Sequence, residues 1–346
     1  MSPVLTRWVH AQWQKKGCVA RLLYPLSLIT ARIVRQRQKH RVKPAPSVFP
    51  PIIIVGNILV GGAGKTPVVI ALCKALKAQG FCPGVISRGY GVKVGPTAQS
   101  GRAPLDPALV GDEPSLIAAE AQVPIGVHPD RLLAVQALLE LAPETDVIIA
   151  DDGLQHYALP RDLEIIVQDE RGVGNGWLLP AGPLREEPQR LQTVDWVIQH
   201  GPAPNAQAAV YMRLSPTVFE HLATGQRIPI AQWLATHDTD CQAYAAIGQP
   251  QRFFNQLSAL GIRLNQTIAL ADHASLDSAD LQRFHDGPIL TTTKDGIKLA
   301  YGPLRSDPRF WLLHVEAVFD PADWLTTLVR QIKRFQPGNE RVKSKK

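Results

Sequence analysis

The sequence predicts an α/β protein: a parallel-sheet domain, preceded by an amphipathic helix and followed by a second, smaller α/β domain. Three observations point there. A β-branched run, Ile52-Ile53-Ile54-Val55, leads directly into a glycine-rich loop and then a helical pattern. A second apolar run, Val147-Ile148-Ile149-Ala150, ends in two carboxylates. From about residue 244 onward, short apolar runs alternate again with helical stretches. The length of 346 residues suits roughly two domains at about 150 residues each. The expected division is an arm at 1–43, a first α/β domain at 44–225 and a smaller one at 226–346.

Composition narrows the class. Hydrophobic residues are 45% and charged residues 19% of the chain, a globular balance that excludes wholesale disorder. Cys18, Cys73, Cys82 and Cys241 are scattered, with no CxxC pair and no zinc spacing. Neither a disulfide framework nor a structural zinc is indicated, and a reducing compartment is the simplest expectation. The net charge of +7 is unevenly placed. Residues 1–105 hold 16 Lys and Arg and no acid, whereas the rest holds 21 basic and 30 acidic residues, a net of −9. A cationic N-terminal third calls for an anionic partner there.

The arm carries ten basic residues and no acid between positions 1 and 43. Val19, Leu22, Leu23, Leu26, Ile29 and Ile33 recur at three- and four-residue steps, one face of a helix. Arg21, Pro25 and Arg32 interrupt the apolar stretch, so a spanning helix is disfavoured. The same breaks, and the lack of a small-residue cleavage site, disfavour a signal peptide. Trp8, Trp13 and Tyr24 are suited to headgroup level, and Arg32, Arg35, Arg37, Lys39, Arg41 and Lys43 form a basic flank. An interfacial helix on an anionic leaflet is the expectation. A helix docked on the body with a solvated basic flank is the plainer alternative.

Residues 44–51 hold four prolines and read as an extended linker. The strand at Ile52–Val55 then meets Gly56-Asn57-Ile58-Leu59-Val60-Gly61-Gly62-Ala63-Gly64-Lys65-Thr66-Pro67, and Val68–Ala78 reads as a helix. Strand, glycine loop, Lys-Thr and helix form a phosphate cradle. Glycines let backbone N–H groups turn toward phosphate oxygens, the helix N-terminus adds partial positive charge, Lys65 reaches the β- and γ-phosphates, and the Thr66 hydroxyl suits Mg²⁺. The spacing GxxxxGK[ST] is broken at one position, where Leu59 stands in place of glycine. The nucleotide-binding stretch is therefore placed at Leu59, Val60, Gly61, Gly62, Ala63, Gly64, Lys65 and Thr66.

The second apolar strand ends at Asp151 and Asp152. An acid at such a strand end lies beside the phosphate loop and holds Mg²⁺, and two adjacent carboxylates want a cation near them. A strand-terminal turn is the alternative, since Asp and Gly both favour turns. Gln155 and His156 follow at once and are placed to line the same cleft. From about 199 to 242 the chain becomes rich in Ala, Pro and Gln with weak periodicity, which suggests the connection between domains. Beyond it, strands are expected at 244–247, 267–270 and 288–292, with helices at 250–260 and 278–284. Residues 333–346 form a basic tail.

Taken in order, GNxxxGGxGKTP (from Gly56), SRGYG (Ser87–Gly91), VGDEP (Val110–Pro114), ADDGLQH (Ala150–His156), GNGWLLPAGPLRE (Gly174–Glu186), Asp272-His273 and TTTKDGIKL (Thr291–Leu299) resemble the tetraacyldisaccharide 4′-kinase family. The resemblance runs from about residue 45 to 300. It implies a P-loop kinase domain with a smaller C-terminal α/β domain and the site between them. It implies ATP and Mg²⁺ as cofactors, with phosphorylation of the 4′-hydroxyl of a tetraacylated glucosamine disaccharide 1-phosphate to give lipid IVA. It also implies a peripheral enzyme on the cytoplasmic face of the bacterial inner membrane.

The resemblance further implies Asp112 as the acceptor-side base and His273 as its partner, a pairing that spacing alone does not supply. Asp112 is also suited to cap the helix expected at 115–121. Where the family pattern often reads DHH, Ala274 stands here in place of the second His. Lys65 is grouped with the catalytic residues. Thr66, Asp151, Asp152 and Glu186 form the expected metal set, although Glu186 beside Glu187 also suits a surface. Arg88, Arg131 and His156 are candidate phosphate or sugar contacts. Two rival classes are a P-loop switch ATPase acting on a protein partner and a nucleic-acid-dependent ATPase. The acidic remainder of the chain, with no basic surface carrying stacking aromatics, counts against nucleic acid.

Overall fold

One sheet runs through both halves of the chain in the computed structural model, which describes residues 12–39, 49–201, 209–237, 240–276 and 278–335. Trp8, Arg41, Lys43, most of the proline-rich linker and nearly all of the basic C-terminal tail lie outside the described residues.

In spatial order the sheet reads 263–269, 240–245, 289–292, 310–320, 210–221, 196–200, 163–168, 52–56, 147–151, 83–87, 125–127 and 99–101, with 227–229 paired to the side of 210–221. The N-terminal half pairs in parallel except at its edge, where Gln99–Gly101 runs antiparallel to Ile125–Val127. The C-terminal strands also pair in parallel. A long antiparallel ladder, Val210–His221 against Phe310–Asp320, joins the two sets. Ile52–Gly56 and Val147–Asp151 are buried along their whole length, as expected for strands covered on both faces and written in continuous apolar residues.

The sheet encloses separate cores. On one face of the N-terminal half, helix Lys65–Ala78 and helix Asp112–Ala121 pack Val68, Leu72, Ile117 and Ala118 with Ile53 and Val55. The last helix, Trp324–Lys333, returns to this same core through Trp324, Leu328 and Ile332. On the other face, Ala31 of helix Cys18–Lys39 joins Ile52, Ile54, Ala134 and Leu138. The C-terminal strands have clusters of their own around Trp233, Phe253, Phe254 and Leu313, and around Tyr244, Ile289 and Phe310.

The stretch of weak periodicity expected as the connection between domains is richer in regular structure than its pattern suggests. It holds the twelve-residue strand Val210–His221, the short strand Arg227–Pro229 and helix Ile230–Thr236. Val210–His221 shows no clean alternation because it is paired on both edges: antiparallel to Phe310–Asp320 along nearly its whole length, and on the other edge parallel to Trp196–His200 at 210–212 and antiparallel to Arg227–Pro229 at 218–220.

Helix Cys18–Lys39 docks with its small residues. Ala20, Ser27 and Ala31 are buried. Leu22 is 80% exposed and Ile29 57% exposed, with Leu26 and Ile33 also open to solvent on the same stripe. Arg35 pairs with Glu187 at 2.7 Å, and Tyr24 packs on Trp177. No helix among the described residues is long and apolar enough to cross a membrane.

Candidate active site

Parallel register sets the phosphate side of the site. Val55 stands opposite Asp151, so the loop after residue 56 and the acid pair leave the sheet at the same edge, the carboxyl ends of the strands. Gly64 caps helix Lys65–Ala78 with φ near +93°, a left-handed conformation that glycine adopts without strain. A Cβ there would also meet His200 Nδ1 at 2.6 Å. Gly61 and Gly62 are exposed, while Lys65 and Thr66 are half-buried at the helix start.

Leu59 explains the broken spacing. It forms a β-bridge with Leu184 and its side chain is in the core. The adjacent Val60 N–H donates to the Pro183 carbonyl at 3.0 Å, and the Arg185 N–H donates to Ile58 O at 2.7 Å. The chain from 174 to 186 thus runs along the loop and fixes its first half, so the turn toward phosphate begins later, at Gly61. The side chain of Leu59 faces the core, and only the backbone of this position is left to contribute to a ligand site.

The two acids behave differently. Asp151 is 4% exposed and its Oδ1 makes no hydrogen bond among the described residues. Burial, with Asp152 and Glu113 nearby and Lys65 opposing them, pushes its carboxyl up to about 7. Asp152 has φ near +50° and turns toward cations: Lys65 Nζ lies 3.4 Å away and Arg185 Nη1 3.2 Å. Burial works to raise the Asp152 carboxyl, but Lys65 and Arg185 outweigh it and hold it below its ordinary value. A buried, unpartnered carboxylate oxygen beside an ionised neighbour is a donor set that fits a hard divalent cation.

The other expected residues divide. Glu186 is fully buried and both its oxygens accept from the chain: Oε1 from Gln155 at 2.7 Å, Oε2 from Gln38 and Arg190 at 3.2 Å. It reaches the acid pair through Gln155, whose Oε1 accepts from Arg185. Arg131 is also buried, spanning His128 O at 2.9 Å and the backbone carbonyl of Asp152 at 3.4 Å. Burial lowers its guanidinium to about 10 against the pull of Asp151 and Asp152. It braces the acid turn from beneath. Arg88 is exposed beyond strand Pro83–Ser87. His156 is half-buried, and burial together with Arg131 lowers its pKa.

Facing this side is a cluster built from both halves. Asp112 opens helix Asp112–Ala121, and His273 follows strand Arg263–Ala269 with φ near +66°. They are 161 residues apart in the chain, yet His273 Nδ1–H donates to Asp112 Oδ2 at 2.9 Å. Lys298 Nζ lies 3.7 Å from the same oxygen, and Lys294 pairs with Glu113 at 2.8 Å and Asp272 at 3.3 Å. Burial pushes the Asp112 carboxyl up, but the bond from His273 and the lysine charges hold it below its usual range; the bond to Asp112 raises His273. A Cβ built on Gly248 would lie 3.6 Å from Asp272 Oδ2 and 3.9 Å from the Gly62 nitrogen, which brings this cluster beside the glycine loop.

Comparison with known proteins shows the family of the chain. The family model for LpxK, tetraacyldisaccharide-1-P 4′-kinase, matches residues 19–333. The chain belongs to the tetraacyldisaccharide-1-P 4′-kinase family. A tetraacyldisaccharide 4′-kinase of Bordetella petrii is 44% identical over 351 residues, covering 96% of this chain and 98% of that protein. One from Dechloromonas aromatica is 40% identical, covering 92% and 96%. Among solved structures, the "apo" form of LpxK from Aquifex aeolicus in complex with ATP aligns with a TM-score of 0.75 and 25% identity, covering 91% of this chain and 99% of that one.

Several residues that contact the candidate site are not legible as such in the sequence. Arg185 was inside the motif that supplied Glu186, and the stranded charge of Asp152 was its signal. Lys294 lies in the TTTKDGIKL motif, but its ion pairs with Glu113 and Asp272 are not legible there. Lys298 lies in the same TTTKDGIKL motif, but its approach to Asp112 is not legible there; His200 carries no local signal.

Proposed function

We propose that this chain transfers the γ-phosphoryl group of ATP to the 4′-hydroxyl of tetraacyldisaccharide 1-phosphate, forming lipid IVA. The observation that carries the reading is the joining of Asp112 and His273 at 2.9 Å opposite a Lys65 and acid-pair cradle. Phosphoryl transfer is mostly positioning and charge neutralisation, and each side supplies one half of that task.

On the donor side, the amides of residues 60–64, Lys65 and the Thr66 hydroxyl hold the ATP phosphates. Asp151, Asp152 and Thr66 would hold Mg²⁺, which supplies charge neutralisation on the phosphate oxygens when bound. Glu186 acts behind them by fixing Gln155 and, through it, Arg185. On the acceptor side, Asp112 orients the sugar hydroxyl and takes its proton. Its known contacts fall on Oδ2, which leaves Oδ1 to accept from the substrate. The His273 imidazole shares the resulting proton charge, and its N–H keeps the carboxylate aimed. Arg88, exposed beyond strand Pro83–Ser87, and the half-buried His156 are the candidate contacts for the sugar and its phosphate.

The N-terminal strands supply the donor side of this cleft, Asp112 and Glu113 meet His273, Lys294 and Lys298 from the C-terminal half on the acceptor side, and the arm brings the cleft to its amphiphilic substrate. The exposed stripe Leu22, Leu26, Ile29 and Ile33 with its basic flank suits an anionic leaflet, the cytoplasmic face of the inner membrane. The test is incubation with γ-labelled ATP and tetraacyldisaccharide 1-phosphate in detergent. Mg²⁺-dependent label on the lipid is expected; label on no lipid, with intact protein, overturns the proposal.

A further inference from the structure

A phosphate cradle needs its amides turned inward, so its carbonyls must turn outward and find donors there. Arg171 meets that need. Its Nη1 donates to Val60 O at 3.1 Å and its Nη2 to Gly62 O at 2.8 Å. These carbonyls flank Gly61, whose φ is near +94°. The guanidinium is itself held by Asp169, whose Oδ1 and Oδ2 accept from Nε at 2.9 and 3.0 Å. Asp169 is 1% exposed at the end of strand Leu163–Gln168, so the anchor is rigid.

A second arginine reaches the same anchor from the C-terminal half. Arg252, on helix Pro250–Ala259, ion-pairs with Glu170 and lies 3.9 Å from Asp169 Oδ2. The loop before that helix comes close to the cradle too, with a Cβ built on Gly248 only 3.9 Å from the Gly62 nitrogen.

We propose that Arg171 is a positioning residue for the nucleotide: its two-pronged grip on the Val60 and Gly62 carbonyls sets the loop amides for the ATP phosphates, with Asp169 as anchor and Arg252 as a brace from the other half. Only a guanidinium suits this place. Three acceptors lie around one planar group, and an ammonium on a flexible stem is a point donor. The inference rests on the reading of this loop as the ATP site.

The experiment compares wild type, Arg171→Ala, Arg171→Lys and Arg252→Ala in Mg²⁺-dependent lipid phosphorylation, alongside direct binding of a non-hydrolysable ATP analogue. Loss of two charge-assisted hydrogen bonds is expected to raise KM for ATP and Kd for the analogue by roughly tenfold in Arg171→Ala. KM for the lipid should stay near wild type, and kcat should fall by no more than about threefold on the same scale. Arg171→Lys keeps the charge and should remain close to the alanine variant. Arg252→Ala should show the same pattern with a smaller shift. Unchanged ATP KM and Kd in Arg171→Ala, or full rescue by Lys, overturns the inference. Should Arg171→Ala not fold, Arg171→Lys and Arg252→Ala decide it by the same KM split. If wild type itself binds no analogue, it is the ATP-site reading that fails instead.

Discussion

The two sides of the active site are built in opposite ways. The phosphate side comes from the carboxyl ends of neighbouring parallel strands of the N-terminal half, and its charged groups are held mostly by one another, with Asp151 Oδ1 left unpartnered among the described residues: Arg171 on the loop carbonyls, Arg185 and Lys65 on Asp152, Gln155 on Glu186. The acceptor side is a partly open cluster of Asp112, Glu113, Asp272, His273, Lys294 and Lys298, contributed by elements of both halves. The difference teaches where rigidity is needed. ATP phosphates are always the same shape, so their cradle can be locked by the sheet. A large amphiphilic acceptor must enter, so its side is assembled by charge across a cleft.

Substitutions can break that contrast, and the largest effect is expected at Asp112. Asp112→Ala should cut kcat about 10²–10⁴-fold while ATP affinity stays near wild type. Equal loss of both would move Asp112 to the phosphate side. Lys65→Ala should lower turnover about 10²–10³-fold and weaken ATP binding together, as measured by steady-state kinetics and analogue titration.

A third test uses Asp151, with its folded pKa near 7 against about 4 in the unfolded chain. Between those values the folded state holds a proton that the unfolded state has lost, so stability falls as pH rises through that window. Added Mg²⁺ should raise Tm at about pH 8 more than at about pH 5, where the proton competes for the carboxylate. Asp151→Asn should flatten both dependences, and a Mg²⁺ effect that persists in that variant would place the cation elsewhere.

His314 offers a smaller effect that sharpens the view of how the halves are held. From strand Phe310–Asp320 it bridges Glu120 at 3.0 Å and Glu220 at 2.9 Å, and Glu120 lies on the helix that begins with Asp112. Burial opposes its charge, but the two carboxylates raise its pKa. Its stabilising contribution is therefore full below the ordinary histidine range and is lost as pH rises through the raised value. His314→Gln should cost about 2 kcal/mol at acidic pH and less at alkaline pH, by chemical denaturation. The smallest effect on chemistry is expected from the arm. Leu22→Ser with Ile29→Ser should reduce sedimentation with anionic vesicles several-fold, by about 1–2 kcal/mol of lost apolar burial. Detergent turnover should be unchanged.

The phosphate side was legible because it is local. Strand, glycines, Lys65 and helix follow one another, and Asp151-Asp152 closes an apolar run; each signal lies within a dozen residues. The departure at Leu59 was visible, but its reason was not, because the reason is a bridge to Leu184 formed by a segment over a hundred residues away. Likewise Glu186 was found by motif, while its enclosure needs Gln155 and Gln38 from distant parts of the chain besides the nearby Arg190. Arg131, a candidate phosphate or sugar contact by motif context, bonds the His128 and Asp152 carbonyls in the fold, a contact that its sequence neighbours do not announce.

By itself the sequence determined the alternation of strands and helices, the cradle, the acid pair, the cationic arm and, through resemblance, the partnership of Asp112 with His273. These follow from periodicity, charge and ordered motifs, which are properties of neighbours in the chain. Only the tertiary structure decided that one sheet joins both halves through Val210–His221 and Phe310–Asp320, that the arm buries its alanines and shows its leucines, and which carboxylates stay open. Those outcomes depend on which surfaces meet when the chain folds, and on the water each meeting removes.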